Sequence, residues 1–226
     1  MRNLRRLVAV TLLCGAGLAS LTAVAQTPPD LHKIADAVDR HYNGLRSLEA
    51  GFTEVYAGAG MTRTESGTMW MKKPGKMRWE YTSPRQKLFV TDGKTAWFYV
   101  PGERQARRTP VKKLADFRSP LRYMLGHTKL VKEFKGLSWA PDKKPRNAGD
   151  LMLRGVPDGM GDSVSQVLLE ITPDYTIAGI EVEELDGSVT EFRFRDEKDN
   201  VQVPDGRFKF VPPPGVEVMD AQELEP

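Results

Sequence analysis

Met69 and Met71, and then Met77, Trp79 and Tyr81, fall at every second position on either side of a turn within residues 67–81, and this alternation is the most informative chemical feature of the chain. On an extended backbone Met69, Met71 and Lys73 share one side, with Trp70 and Lys72 on the other. Met77, Trp79 and Tyr81 then alternate with Lys76, Arg78 and Glu80. The result is an apolar, methionine-rich face with one lysine among its greasy neighbours. Materials for covalent or acid–base chemistry are scarce. The histidines are His32, His41 and His127, and His32 and His41, nine apart on one helix, lie on opposite faces and cannot share a metal. No Gly-x-Ser-x-Gly elbow and no phosphate-cradling glycine loop occur. Glu181, Glu183 and Glu184 cluster on a strand whose polar face and turn account for them. Trp70, Lys72, Lys73, Lys76, Arg78 and Trp79 interleave bases with aromatics as single-strand nucleic-acid binders do, but a solvated outer strand face explains the same pattern. No enzyme, metal, cofactor or nucleic-acid partner is expected.

The elements that position these residues can be read in order. Asp30 after Pro28 and Pro29 caps a helix, along which Leu31, Ile34, Ala35, Val38, Tyr42 and Leu45 recur at helical spacing. From Ser47 the period changes to two, with Leu48, Ala50 and Phe52 alternating on a first strand. Strands follow at 67–73, 76–81, 87–91, 95–100 and 105–109, punctuated by Pro74-Gly75, Asp92-Gly93 and Pro101-Gly102. The β pattern pauses at 111–128, where Ser119-Pro120 opens a short helix with Leu121, Met124 and Leu125 on its apolar side. After a polar loop at 141–149, strands resume at 151–156, 166–172, 177–184 and 188–196, and a final one is expected near 208–211. About eleven antiparallel strands with two helices argue for a curved sheet or barrel, its open side covered by the helices.

The N-terminus reads as a cleaved secretory signal over residues 1–25. Arg2, Arg5 and Arg6 precede an apolar stretch, and Ala23-Val24-Ala25 offers a small-x-small cleavage site. The single cysteine, Cys14, lies inside that stretch with Leu13 before it, where a lipoprotein signal needs a small residue. The mature chain, 26–226, is therefore expected to be one soluble, thiol-free domain. Its charge balances at 30 basic against 30 acidic residues once the three signal arginines are gone, but residues 26–149 hold 24 basic and 12 acidic side chains and 150–226 hold 6 and 18. Such segregation can steer charged partners.

The string GTMWMKKPGKMRWEY at 67–81 resembles the core motif of the outer-membrane lipoprotein carrier family, LolA. VTDGKTAWFY at 90–99 follows at the expected distance, SPLRYML at 119–125 resembles the family's short lid helix, and FKFVPPPGV at 208–216 resembles its C-terminal strand. The resemblance spans nearly the whole mature chain. It implies an incomplete antiparallel β-barrel whose apolar cavity is closed by a helical lid. It also implies a monomeric periplasmic carrier that takes acylated lipoproteins from an inner-membrane ABC transporter and passes them to an outer-membrane receptor lipoprotein.

Physical reasoning supports that expectation. A client with two or three acyl chains would essentially never cross water unaided, since each buried CH₂ holds it to the membrane by about 0.8 kcal/mol. Methionines repack around irregular chains, which makes Met69, Met71, Met77 and Met124 candidate lining residues with Phe52, Trp79 and Tyr81. Leu31, Ile34 and Val38 of the first helix and Leu121 and Leu125 of the short one complete the candidate cavity and lid. In the family an arginine before the motif proline latches the lid; Lys73 stands there, and it is expected to reach lid carbonyls near the short helix with a looser grip. Two rivals remain: a LolA-like lipid sensor or shuttle for another lipid, and a periplasmic hydrolase with an unrecognised site.

Overall fold

The computed structural model describes residues 29–111 and 129–221. The signal segment and the short helix with Leu121, Met124 and Leu125 lie outside the described residues. Helix α1 (Leu31–Gly44) comes first, followed by six strands: β1 (Ser47–Gly58), β2 (Met61–Lys72), β3 (Lys76–Ser83), β4 (Lys87–Asp92), β5 (Thr95–Tyr99) and β6 (Gln105–Pro110). The second half holds a one-turn helix α2 (Leu130–Glu133), then β7 (Phe134–Trp139), β8 (Leu151–Pro157), β9 (Val164–Ile171), β10 (Ile177–Glu184), β11 (Val189–Asp199) and β12 (Glu217–Asp220).

All twelve strands form one sheet in the order β12-β6-β5-β4-β3-β2-β1-β11-β10-β9-β8-β7. Neighbours run antiparallel except β12, which lies parallel to β6. The terminal strands β12 and β7 are not paired with each other, so the sheet is open. A single apolar core nevertheless contains Phe98 of β5 and Phe134 of β7, near opposite ends of that order. The cluster draws on one face of β1–β5 and β7–β11, and α1 packs on that inner face.

Two strand expectations need correction. Residues 134–139 form β7, interrupted by Gly136 at φ +66 and a register shift; the pattern is hidden because alternation breaks at that irregularity. The segment near 208–211 is not a strand. Asp205–Phe208 forms a 3-10 turn, and the last strand comes later, at β12. Pro204 and Pro212 to Pro214 supply no N–H for a ladder, so this stretch is held by its side chains instead.

Its seat is the outer face of the sheet. Phe208 and Val203 bury against Trp70, the Arg207 guanidinium lies 3.6 Å from the Trp70 ring centroid, and Phe210 packs on Trp97 and Tyr99. Lys72 Nζ and Lys76 Nζ each donate to the Asp205 carboxylate at 2.7 Å, and these bonds hold its pKa down to about 2. Arg78 donates to the Arg207 carbonyl. The alternating bases of β2 and β3, expected on a solvated face, thus fasten the C-terminal segment.

Candidate functional site

The inner face is set by register. Successive rows across β1, β2 and β3 read Leu48, Met71, Met77, then Ala50, Met69, Trp79, then Phe52, Gly67, Tyr81. Phe52, Met69, Met71, Trp79 and Tyr81 are buried, and Met77 packs against them half-buried. Phe52 makes edge contacts with Trp79 and Tyr81 at centroid distances of 4.6 and 4.9 Å, a favourable aromatic geometry. Gly67 makes this possible. A Cβ there would fall 1.9 Å from the Glu80 carbonyl oxygen and 2.9 Å from the Phe52 ring.

Helix α1 covers that face. The Asp30 carboxylate accepts the N–H groups of His32 and Lys33 and starts the helix. Ala35, Val38 and Tyr42 are buried in the core, and Leu31 and Ile34 pack against it, as the helical spacing requires. Among the described residues the helix's apolar side chains thus lie against the methionine- and aromatic-rich face. A cleft of about 90 Å³ lies on the outer face, lined by groups including Lys143, Arg146, Glu170 and Glu191, and another of about 10 Å³ sits where 45–48 meet 71–73.

Polar bonds fasten the helix along its second half. The Tyr42 hydroxyl donates to Glu197 Oε2 at 3.1 Å and accepts the Ile177 N–H at 2.8 Å. His41 Nε2 lies 3.2 Å from Glu197 Oε1. Burial raises the Glu197 carboxyl above its ordinary range, with the His41 and Tyr42 bonds pulling the other way. Burial also pushes the Tyr42 phenol well up, helped by the Glu197 charge. The Asp39 carboxylate accepts the Leu130 N–H at 3.1 Å, tying the helix to the start of α2. Lys73 Nζ donates to the carbonyls of Tyr42 and Asn43, both at 2.9 Å. The latch candidate thus holds the carbonyls closing α1; the short helix lies outside the described residues. Burial lowers its pKa.

Periodicity did not single out Asp39 or Glu197, because each joins elements far apart in sequence. A bulge at 49/51 sets Glu197 toward the helix. With Asp199, His41 and Glu197 form the one cluster among the described residues whose donor atoms are close enough for a metal, all within 4.8 Å. Glu197 is already bonded to Tyr42 and His41, and the cluster works as a clasp.

Of the candidate cavity residues, Phe52, Met69, Met71, Met77, Trp79, Tyr81, Leu31, Ile34 and Val38 meet in one cluster. Residues 43–211 match the family model of the outer membrane lipoprotein carrier protein LolA, a span from the end of α1 to the outer-face segment. The chain belongs to the LolA family. It is 28% identical over 207 residues to an outer-membrane lipoprotein carrier protein of Sodalis glossinidius (strain morsitans), covering 90% of this chain and 96% of the relative. It is equally 28% identical over 211 residues to one from Chromobacterium violaceum, covering 89% and 94%. Among solved structures, an uncharacterized conserved protein from Thermus thermophilus shares the fold with TM-score 0.51 at 15% identity, over 84% of this chain and 98% of that one. A LolA superfamily protein from Nitrosomonas europaea aligns with TM-score 0.43 at 12% identity, over 79% and 96%. For a LolA-family chain, the methionine-rich inner face and its helical cover are the features to explain.

Proposed function

We propose that this chain is a periplasmic lipoprotein carrier, which shelters the acyl chains of its clients on the inner face of the sheet. It receives them from an inner-membrane ABC transporter and delivers them to an outer-membrane receptor lipoprotein. The observation that carries this reading is α1: an amphipathic helix whose apolar stripe lies on a methionine- and aromatic-rich face, tethered by polar bonds at Asp39, Tyr42 and the Lys73 contacts. Such a cover can exchange its own apolar contacts for those of a hydrocarbon. No step of this cycle calls for catalysis by the carrier, and binding and release follow from movement of the helix.

The test is to secrete the tagged chain in a Gram-negative host, purify it from the periplasm and identify bound material by mass spectrometry. Acylated peptides or intact lipoproteins are expected. Free phospholipid alone would make it a shuttle or sensor for another lipid. Recovery of neither acylated species nor lipid would refute the carrier reading.

A further inference from the structure

The inner face is not uniformly apolar. Beyond the row of Phe52, Gly67, Tyr81 and Lys87, β1 and β2 continue with Glu54 opposite Glu65, then Tyr56 opposite Arg63. These alternate positions share the parity of Ala50 and Met69 and so belong to the same face. They lead to the end of the sheet where β1 turns into β2 at 58–61, which is also where β10 turns into β11. Two acids and a phenol are nearly fully buried there: Glu54 is 5%, Glu65 3% and Tyr81 4% exposed. The Tyr81 hydroxyl donates to Glu54 Oε2 at 2.8 Å. Lys87 Nζ lies 2.6 Å from Glu65 Oε1, and Arg63 Nε is 3.3 Å from Glu65 Oε2. Arg63, at 48% exposure of its side chain, brings the cluster out to solvent.

Charged groups set into an apolar face are costly unless their hydrogen bonds are met, and a simple hydrocarbon sleeve has no use for them. An acylated protein terminus is different. Its tails are apolar, but they end in ester and amide carbonyls that need donors and in an amide N–H that needs an acceptor. We propose that Glu54, Glu65, Tyr81 and Lys87 form a polar subsite for the acyl linkage of the cargo, an inference that rests on the carrier reading above. The Tyr81 hydroxyl and the Lys87 ammonium serve the carbonyls, and Glu54 or Glu65 takes the amide N–H. In the empty protein the same groups satisfy one another, so exchange of partners on binding leaves none bare. The cargo is then polarised: tails lie toward the rows of Met69, Met71 and Met77, and the polypeptide leaves past Arg63.

Two measurements test this. The first compares a peptide bearing an N-terminal S-dipalmitoylglyceryl cysteine with the apolar dye N-phenyl-1-naphthylamine. Tyr81→Phe, and the paired Lys87→Met with Glu65→Gln that removes both charges together, should each weaken the lipopeptide by roughly tenfold, the value of one good hydrogen bond, and shift the dye by less than about twofold. Equal weakening of both probes, or no change for the lipopeptide, overturns the subsite while leaving the carrier reading intact; failure of the unmodified chain to bind the lipopeptide refutes both. The second measurement leaves the core untouched. A photocrosslinker at the exposed Met61, beside the proposed exit, should capture the peptide part of the probe, and one at Lys94, in the turn at the opposite end, should not. Capture at Lys94 in preference to Met61 reverses the polarity and overturns the proposal.

Discussion

Replacing Tyr42 by phenylalanine removes a single oxygen and is the sharpest perturbation of the helical cover. That hydroxyl accepts the buried Ile177 N–H at 2.8 Å and donates to Glu197 at 3.1 Å, joining α1 to β10 and β11. Stranding a buried amide costs about 1–3 kcal/mol, and a bond to a charged group contributes about 1.5–3 kcal/mol. Allowing for relaxation around the gap, Tyr42→Phe should destabilise the closed arrangement by about 2 kcal/mol or more, which multiplies the open population roughly 30-fold. The ring stays, so the apolar packing is retained. Native-state hydrogen exchange resolves the effect by element. In the unmodified chain the amides of α1 should open at a lower free energy than those of β1 and β2, and in the variant the α1 value should fall by about 2 kcal/mol. If α1 and the central strands exchange with one common free energy in both proteins, the helix does not open separately and the reasoning fails.

Further substitutions probe the latch, the inner face and its buried acid. Lys73→Leu should lower stability by about 1–2 kcal/mol through loss of two bonds to the helix-terminal carbonyls, with Lys73→Arg recovering most of it; equal behaviour of the two variants in thermal unfolding would remove the latch. Gly67→Ala drives a Cβ into the backbone oxygen of Glu80 and should cost about 3 kcal/mol or more, read from urea unfolding, whereas Gly206→Ala, with open space around its Cβ position, should cost less. Glu54 supplies a pH test. Burial holds its carboxyl above the ordinary range, against the Tyr81 hydrogen bond that lowers it, so the folded chain binds that proton more tightly than the unfolded one. The stabilisation is complete below the unfolded pKa and is lost as pH rises through the folded value. Glu54→Gln should therefore be more stable than the unmodified chain at pH 7 and lose that advantage toward acid, as measured by urea unfolding across the range; parallel curves would contradict it.

What the sequence made legible was local. Alternation of Met77, Trp79 and Tyr81, the helical stripe from Leu31 to Tyr42, and the Pro74-Gly75 and Asp92-Gly93 turns each depend on neighbours within a few residues, and all recur in the fold. Relations between distant segments were not legible. Nothing near Lys72, Lys76 or Arg78 indicates that residues 203–207 will lie across them, so their charges suggested solvent. Glu197 faces the helix only because a bulge shifts β11, and Lys73 meets α1 only because β2 ends beside it. The row of Glu54 and Glu65 was overlooked because an acid on a strand usually signals the outer face. In this sheet parity carries both acids inward.

The packing of α1 on the inner face bears directly on how a carrier could work without nucleotide. Lifting α1 exposes Val38, Tyr42 and the half-buried Leu31 and Ile34, and at about 1.5–3 kcal/mol for each large side chain the cost is on the order of 8 kcal/mol. One acyl chain burying about a dozen CH₂ groups returns about 10 kcal/mol at 0.8 kcal/mol each. The two quantities are close because both replace water against the same rows of methionine and aromatic side chains. A single chain thus nearly balances the displaced helix, and each further chain adds a surplus only if the sheet has room for it. A near-balance is what transfer requires: a deeper cavity, open at all times, would hold its cargo too tightly to yield it, and a cover fixed by apolar contacts alone would have no polar bond to break as the tails enter. On the carrier reading proposed above, the bonds at Tyr42, Lys73 and Asp39 would supply that adjustable margin, and their strength would set how readily the cargo is exchanged.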